Sequence, residues 1–213
     1  MSHFFQNVYH KIRYSDPPRL FFDLLSKVKI FIFPFNLYCF EVEEEGQVYL
    51  PPKPESLADY RCEILGRDSI EALAAIPKKG NTLEEVTRRF DIGEVCYGML
   101  TGDKIVGYCW FNLKECTSKL YSFSFEGRKA AYLYDLYVVP EYRGLGLSPF
   151  LVTEIYPWAR DEEFEQVYAT INLFNNPSNG LCLPYRQEVL VKMLYVSLFN
   201  IYERTFLLKR YAT

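Results

Sequence analysis

The segment from Ala130 to Trp158 restricts the fold more than any other part of the chain. A β-rich run, Ala130 to Val139, stops at Pro140, passes through Glu141 to Gly146 and enters a helix near Leu147. A strand, a turn with two glycines and a helix N-terminus in direct succession gather backbone N–H groups toward one point, which is how proteins hold anions without side chains. Gly144 and Gly146 let a ligand approach the backbone, the first helical turn offers unpaired donors at the positive end of its dipole, and Arg143 can add a charge. Two common phosphate loops are excluded. A Walker A loop needs Gly-Lys-Ser/Thr after its second glycine, and a dinucleotide fingerprint needs a small third residue where this chain has Pro149. A purely structural turn is the competing reading of such a segment.

The rest of the chain has to supply a sheet and helices around that unit. At 213 residues, one domain with an extension fits better than two full domains. The expected division is an N-terminal helix-strand extension over residues 1–57 and a main domain over 58–213. In the extension, Ser15 or Asp16 before Pro17 marks a helix start, the helix runs to about Lys27, and Ile30 to Val42 reads as a strand. Leu20, Phe21, Leu24, Leu25 and Val28 recur at helical spacing beside Arg19, Lys27 and Lys29. Packing on the domain is the favoured role for that stripe, and an interfacial membrane anchor is the alternative.

Further on come a strand (Tyr60 to Leu65) and helices over Asp68 to Ala75 and Thr82 to Phe90, with Asp68/Glu71 and Thr82/Glu85 at capping-box spacing. Strands Glu94 to Leu100 and Lys104 to Phe111 are joined by Thr101, Gly102 and Asp103 as a hairpin. Pro157 is expected to kink or end the helix that begins near Leu147. Gln166 to Leu173 is the next strand, followed by a polar loop from Phe174 to Gly180, a short helix, and closing strands Met193 to Phe199 and Arg204 to Leu208. The fold class is α+β with a mixed sheet.

Composition removes several functions. A net charge of −3 without a Lys/Arg run argues against nucleic acid, so the 18 tyrosines and 17 phenylalanines are assigned to the core and not to base stacking. The six cysteines include no CxxC pair and have no nearby histidine, which suggests no metal and fits a reducing, cytoplasmic setting. The apolar run Phe31 to Phe40 is too short for the ~20 residues of a membrane span.

Val138-x-Pro140-x-Tyr142 followed by Arg143-Gly144-Leu145-Gly146-Leu147-Ser148 closely resembles the acyl-CoA signature of the GNAT N-acetyltransferase superfamily, V-x-P-x-Y-R-G-x-G-x-G/A/S. Asn175-Asn176-Pro177-Ser178 with Leu181 resembles the family's later N-x-x-S/A-x-x-L segment, in the right order. The resemblance spans about Tyr60 to Tyr211. It implies acetyl-CoA as donor, with Leu136, Tyr137 and Val138 offering backbone groups to pantetheine at a strand bulge, the amides of Arg143 to Ser148 around the pyrophosphate, and Asn175 in the second motif. It also implies direct transfer to a primary amine in a ternary complex.

The catalytic side chains depart from the family pattern. Asp135 is the nearest candidate base, but related diamine acetyltransferases carry Glu-Asp where this chain has Tyr134-Asp135. Strand alternation would point Asp135 away from Tyr134 and Leu136. The family's acid, a Tyr seven residues after the loop asparagine, is replaced by Cys182, with Tyr185 one turn further. Tyr121, Phe123, Phe125 and Glu126 lie where acceptor contacts occur in similar proteins, or else form a hydrophobic wall. A small amine or amino sugar is the expected acceptor, and a homodimer is one option for assembly. Two other readings stay open: an acyltransferase using longer acyl-CoA or acyl carrier protein, and a non-catalytic acyl-CoA-binding module.

Overall fold

The computed structural model describes residues 25–42, 53–117, 121–182 and 187–211. It divides the chain into two compact units. The larger takes Cys39–Ala169 and Leu183–Gln187, the smaller Met1–Tyr38, Thr170–Cys182 and Glu188–Thr213. Strand β1 (Ile30–Glu41) begins in the smaller unit and ends in the larger. Most of the predicted first helix lies outside the described residues.

In the larger unit, β2 (Tyr60–Leu65), β3 (Val95–Thr101), β4 (Lys104–Asn112), β7 (Ala130–Val138) and the first part of β8 (Gln166–Asn172) lie in the spatial order β8-β7-β4-β3-β2. A separate ribbon pairs β5 (Glu115–Thr117) with β6 (Ser122–Ser124). β7 and β8 are parallel and the other neighbours antiparallel, which gives the expected mixed sheet. β3 and β4 are almost continuously apolar because helices cover both of their faces. Alternation along β4 sends Tyr108 and Trp110 to one face and Phe111 to the other. On the first face they join Leu73, Ile76 and Val86, carried by and near helices α1 (Ile70–Ala74) and α2 (Leu83–Asp91). On the second, Phe111 packs 4.5 Å from Trp158 of α3 (Leu147–Asp161), measured between ring centroids, and Tyr97 donates to the Glu154 carbonyl at 3.1 Å.

Local signals in the sequence are met unevenly. Thr82 caps α2, accepting from the Glu85 amide at 3.2 Å, as its spacing predicts. The Asp68/Glu71 box does not form: residues Arg67–Ser69 make a 3-10 turn, α1 starts one residue later, and its N-cap Ser69 makes no side-chain bond. Pro157 does not end its helix, since α3 continues through it to Asp161. The anchor is packing: Ile155, Trp158 and Ala159 on either side of Pro157 are buried, and their burial outweighs one missing backbone bond.

In the smaller unit, β9 (Gln187–Leu198) and β10 (Tyr202–Arg210) form an antiparallel hairpin, and β9 neighbours β1. Both strands start earlier than their apolar runs, because backbone pairing continues through polar residues such as Glu188 and Glu203. Helix α4 (Asn176–Cys182) begins inside the stretch predicted as loop. No helix among the described residues is long and apolar enough to cross a membrane.

Candidate active site

The site is organised by an irregularity in β7. Its register against β4 runs Gly107↔Val138 and Tyr108↔Tyr137, then resumes at Trp110↔Tyr134, so β7 carries one residue more than β4 between those pairs. This is a β-bulge, and Asp135 within it has a φ of 59°. That left-handed turn breaks strict alternation and corrects the expectation that Asp135 faces away from Tyr134. Arg89 of α2 lies 5.2 Å from the Tyr134 ring centroid and 2.7 Å from an Asp135 oxygen, so both side chains reach one guanidinium. Sequence periodicity does not show a bulge; only the family resemblance pointed to one here.

Below the bulge, β7 pairs with β8 from Ala130↔Gln166 to Leu133↔Ala169, and Tyr134 to Val138 extend past that ladder. The Val139 amide bonds the Val106 carbonyl at 2.9 Å, which makes Gly107↔Val138 the kind of antiparallel pair that exchanges no backbone bonds. The Val138 N–H and C=O therefore point away from β4. Its carbonyl accepts from Arg143 Nε at 3.0 Å. A Cβ on Gly107 would lie 2.8 Å from the Met99 methyl and 3.1 Å from the Tyr137 carbonyl, so glycine accommodates the close approach of the two strands beside the bulge.

The glycine turn follows directly. Pro140–Tyr142 form a 3-10 turn, Gly144 and Gly146 have φ of 83° and 80°, and Leu147 opens α3 with Gly146 as its N-cap. Both glycines have open space where a Cβ would stand. The first helical backbone bond from this region is Phe150 N–H to the Gly146 carbonyl, 3.2 Å. Among the described residues the amides of Gly144, Leu145, Gly146, Leu147 and Ser148 donate to no backbone acceptor. Leu147 is buried and anchors the turn, Leu145 is exposed, and Arg143 folds its guanidinium over the Tyr137 ring at 5.4 Å.

Asp135 sits between two cations. Its Oδ1 is bonded by Lys78 and its Oδ2 by Arg89. Arg89 also bonds Glu85 at 2.9 Å, and its hydrogen bonds to Glu85 and Asp135 more than offset burial and hold its pKa above the usual range. Burial lowers the Lys78 pKa, and the Asp135 hydrogen bond opposes that shift. Beside them the Tyr134 hydroxyl donates to Glu94. Burial raises the pKa of Glu94, and burial reinforced by this bond raises that of Tyr134. Lys78, Arg89 and Glu94 were not singled out from sequence. Only their charge marked them, and no local spacing connects them to Asp135.

The remaining predicted residues are placed as follows. Asn175 donates from Nδ2 to Ser178 Oγ at 2.8 Å across the start of α4, and its carbonyl accepts from the Asn179 amide at 2.9 Å. Cys182 ends α4, and Tyr185 lies outside the described residues. Phe125 is buried and stacked on Tyr168 at 5.5 Å, so at this position the hydrophobic wall is what the chain builds.

A profile of the Acetyltransferase (GNAT) family matches residues 65–183, more than half of the chain. The chain belongs to this family. The GNAT match covers β3, β4, the bulged β7, the glycine turn and α3. No curated protein matches by sequence. Solved GNAT structures share the fold: an acetyltransferase from Colwellia psychrerythraea at 12% identity and TM-score 0.57, over 78% of this chain and 56% of that one. A tandem GNAT protein from the clavulanic acid biosynthesis pathway, solved without AcCoA, follows at 15% and 0.57, over 81% and 54%. The glucosamine N-acetyltransferase region of a fungal multi-domain β-N-acetylglucosaminidase matches at 11% and 0.55, over 86% and 23%. The chain thus spans about half the length of the first two of these GNAT proteins.

Proposed function

We propose that the chain transfers an acetyl group from acetyl-CoA to the primary amine of a small molecule. The observation that carries this reading is the row of unengaged amides from Gly144 to Ser148, with Arg143 beside it and a bulged strand leading into it. In this reading the amides hold the pyrophosphate and Arg143 adds charge. Pantetheine lies along Leu136, Tyr137 and Val138, whose strand extends past its ladder with β8. The neutral amine attacks the thioester carbonyl in a ternary complex: the C–N bond forms, the C–S bond breaks and the amine gives up a proton. The Val138 N–H, directed away from β4, stabilises the oxyanion, and Tyr185 or Cys182 returns a proton to the thiolate.

The base is assigned differently from the sequence expectation. Each Asp135 oxygen is hydrogen-bonded to a cation, so the structure gives this carboxylate the task of holding Lys78 and Arg89. Glu94 is bonded to Tyr134, which stands where diamine acetyltransferases place glutamate, and burial raises its pKa toward the range of an effective base. Glu94 is our choice for receiving the amine proton through the Tyr134 hydroxyl.

The test is release of the CoA thiol from acetyl-CoA against a panel of amines. The panel includes amino sugars, because one fold neighbour is a glucosamine N-acetyltransferase region. Turnover with at least one amine is expected. Turnover only with long-chain thioesters would replace the acetyl donor, and binding without turnover would make the chain a non-catalytic acyl-CoA module.

A further inference from the structure

Three charges surround the β7 bulge, and their placement follows its register. The ordered pairs on either side of the extra residue are Tyr108↔Tyr137 and Trp110↔Tyr134. Lys78 lies over both rings of the first pair, 5.3 Å from Tyr108 and 5.2 Å from Tyr137. Arg89 lies over both rings of the second, 5.2 Å from Trp110 and 5.2 Å from Tyr134. Asp135, the left-handed residue between the pairs, bonds both cations, one through each carboxylate oxygen. Lys78 follows α1 and Arg89 lies in α2, so two separate points of the helical layer grip one strand irregularity. The Tyr137 hydroxyl adds a bond to the Pro77 carbonyl at 3.3 Å.

We infer that Lys78 and Arg89 are positioning residues that lock β7 in its bulged register, and so set the backbone of Leu136 to Val138 for the acyl donor. Removing the bulge would shift β7 by one residue against β4 and reverse the faces of everything beyond it. A left-handed aspartate is a strained choice in a strand, and the two cations supply the compensation that keeps it there. Each cation also gains from lying between aromatic faces in a partly desolvated space. The functional half of this inference rests on the acyl-CoA reading above; the structural half does not.

The experiment measures two things on Lys78→Met, Arg89→Met and Asp135→Asn: backbone amide shifts over 133–139 by NMR, and acetyl-CoA affinity by calorimetry. Lys129→Met is the control, since it removes a lysine paired with Glu163 at 2.7 Å away from the bulge. The expected result is a set of amide shifts concentrated at Tyr134 to Val138 and at least a tenfold loss of acetyl-CoA affinity in all three variants. Lys129→Met should show neither, and Lys78→Arg should recover most of the affinity by restoring the charge. If the methionine variants do not fold, Asp135→Asn decides alone, because asparagine keeps the side-chain size and tolerates the left-handed turn. Wild-type shifts and affinity in Asp135→Asn would overturn the inference. Shifted bulge amides with no acetyl-CoA binding even by the wild type would sustain the lock and reject the donor assignment.

Discussion

Alanine at Gly146 separates the structural from the functional content of the glycine turn. Its φ of 80° is left-handed, and no atom stands within 4 Å of where a Cβ would be, so the cost to folding is backbone strain alone. That strain is about 1–2 kcal/mol for an L-residue, or a loss of roughly 2–8 °C in Tm for a chain of this size. The cost to binding is separate. A methyl group in the open space beside the turn would hinder close approach of the pyrophosphate to the amides, and losing one charge-assisted hydrogen bond of about 1.5–3 kcal/mol weakens affinity roughly 10- to 150-fold. Gly93 provides a matched control, with φ of 83° and the same open surroundings, in the turn between α2 and β3. Differential scanning fluorimetry and calorimetric titration with acetyl-CoA on Gly146→Ala and Gly93→Ala should show similar Tm losses and dissimilar affinities. If Gly146→Ala binds acetyl-CoA as tightly as Gly93→Ala, the turn is not the donor site.

Other consequences concern charge and helix geometry. The Arg88 hydrogen bond, reinforced by Arg89, holds Glu85 down at about 2 against an ordinary value of 4.5. Its stabilisation is complete above pH 4.5 and disappears as pH falls toward 2; urea titrations should show Glu85→Gln less stable than wild type at pH 7 and nearly equal near pH 2. Glu94 has the opposite sign. Burial raises its pKa, so the folded state resists its ionisation and stability falls as pH rises through that shifted value. Glu94→Gln should melt higher than wild type at pH 7 and no higher below pH 4, while losing turnover if Glu94 receives the amine proton. Pro157→Ala returns a backbone donor to the interior of α3 and should stabilise the chain by about 1 kcal/mol or more, read as an increase in the urea midpoint. A destabilised variant would show that the proline ring packs better than the restored bond compensates.

Legibility from sequence follows the range of the forces involved. β3, β4, β7 and β8 were found within about two residues of their ends, because their apolar runs are long and bounded by glycine, proline or polar turns. The turn from Pro140 to Ser148 was found because consecutive residues build it. Thr82 announced its helix through a contact three residues away, whereas Asp68 gave the same signal and yielded to a 3-10 turn. The bulge at Asp135 leaves no trace in periodicity, because it exists only in the pairing of β7 with β4, and the family resemblance alone pointed to it. Its partners Lys78 and Arg89 are 57 and 46 residues away in sequence, and Glu94 is 40 residues from Tyr134. Such contacts are set by packing of a helical layer on a sheet, and local patterns carry no record of them. Pro157 shows the same limit in reverse, a helix-ending signal overruled by the burial of Ile155 and Trp158.

Amide hydrogen exchange of the wild-type chain with and without acetyl-CoA tests the central claim most directly. The account predicts slowed exchange at Leu136 to Val138 and Gly144 to Ser148, with little change over Leu83–Asp91. Binding accompanied by protection elsewhere, or no protection of these amides at saturating acetyl-CoA, would contradict it.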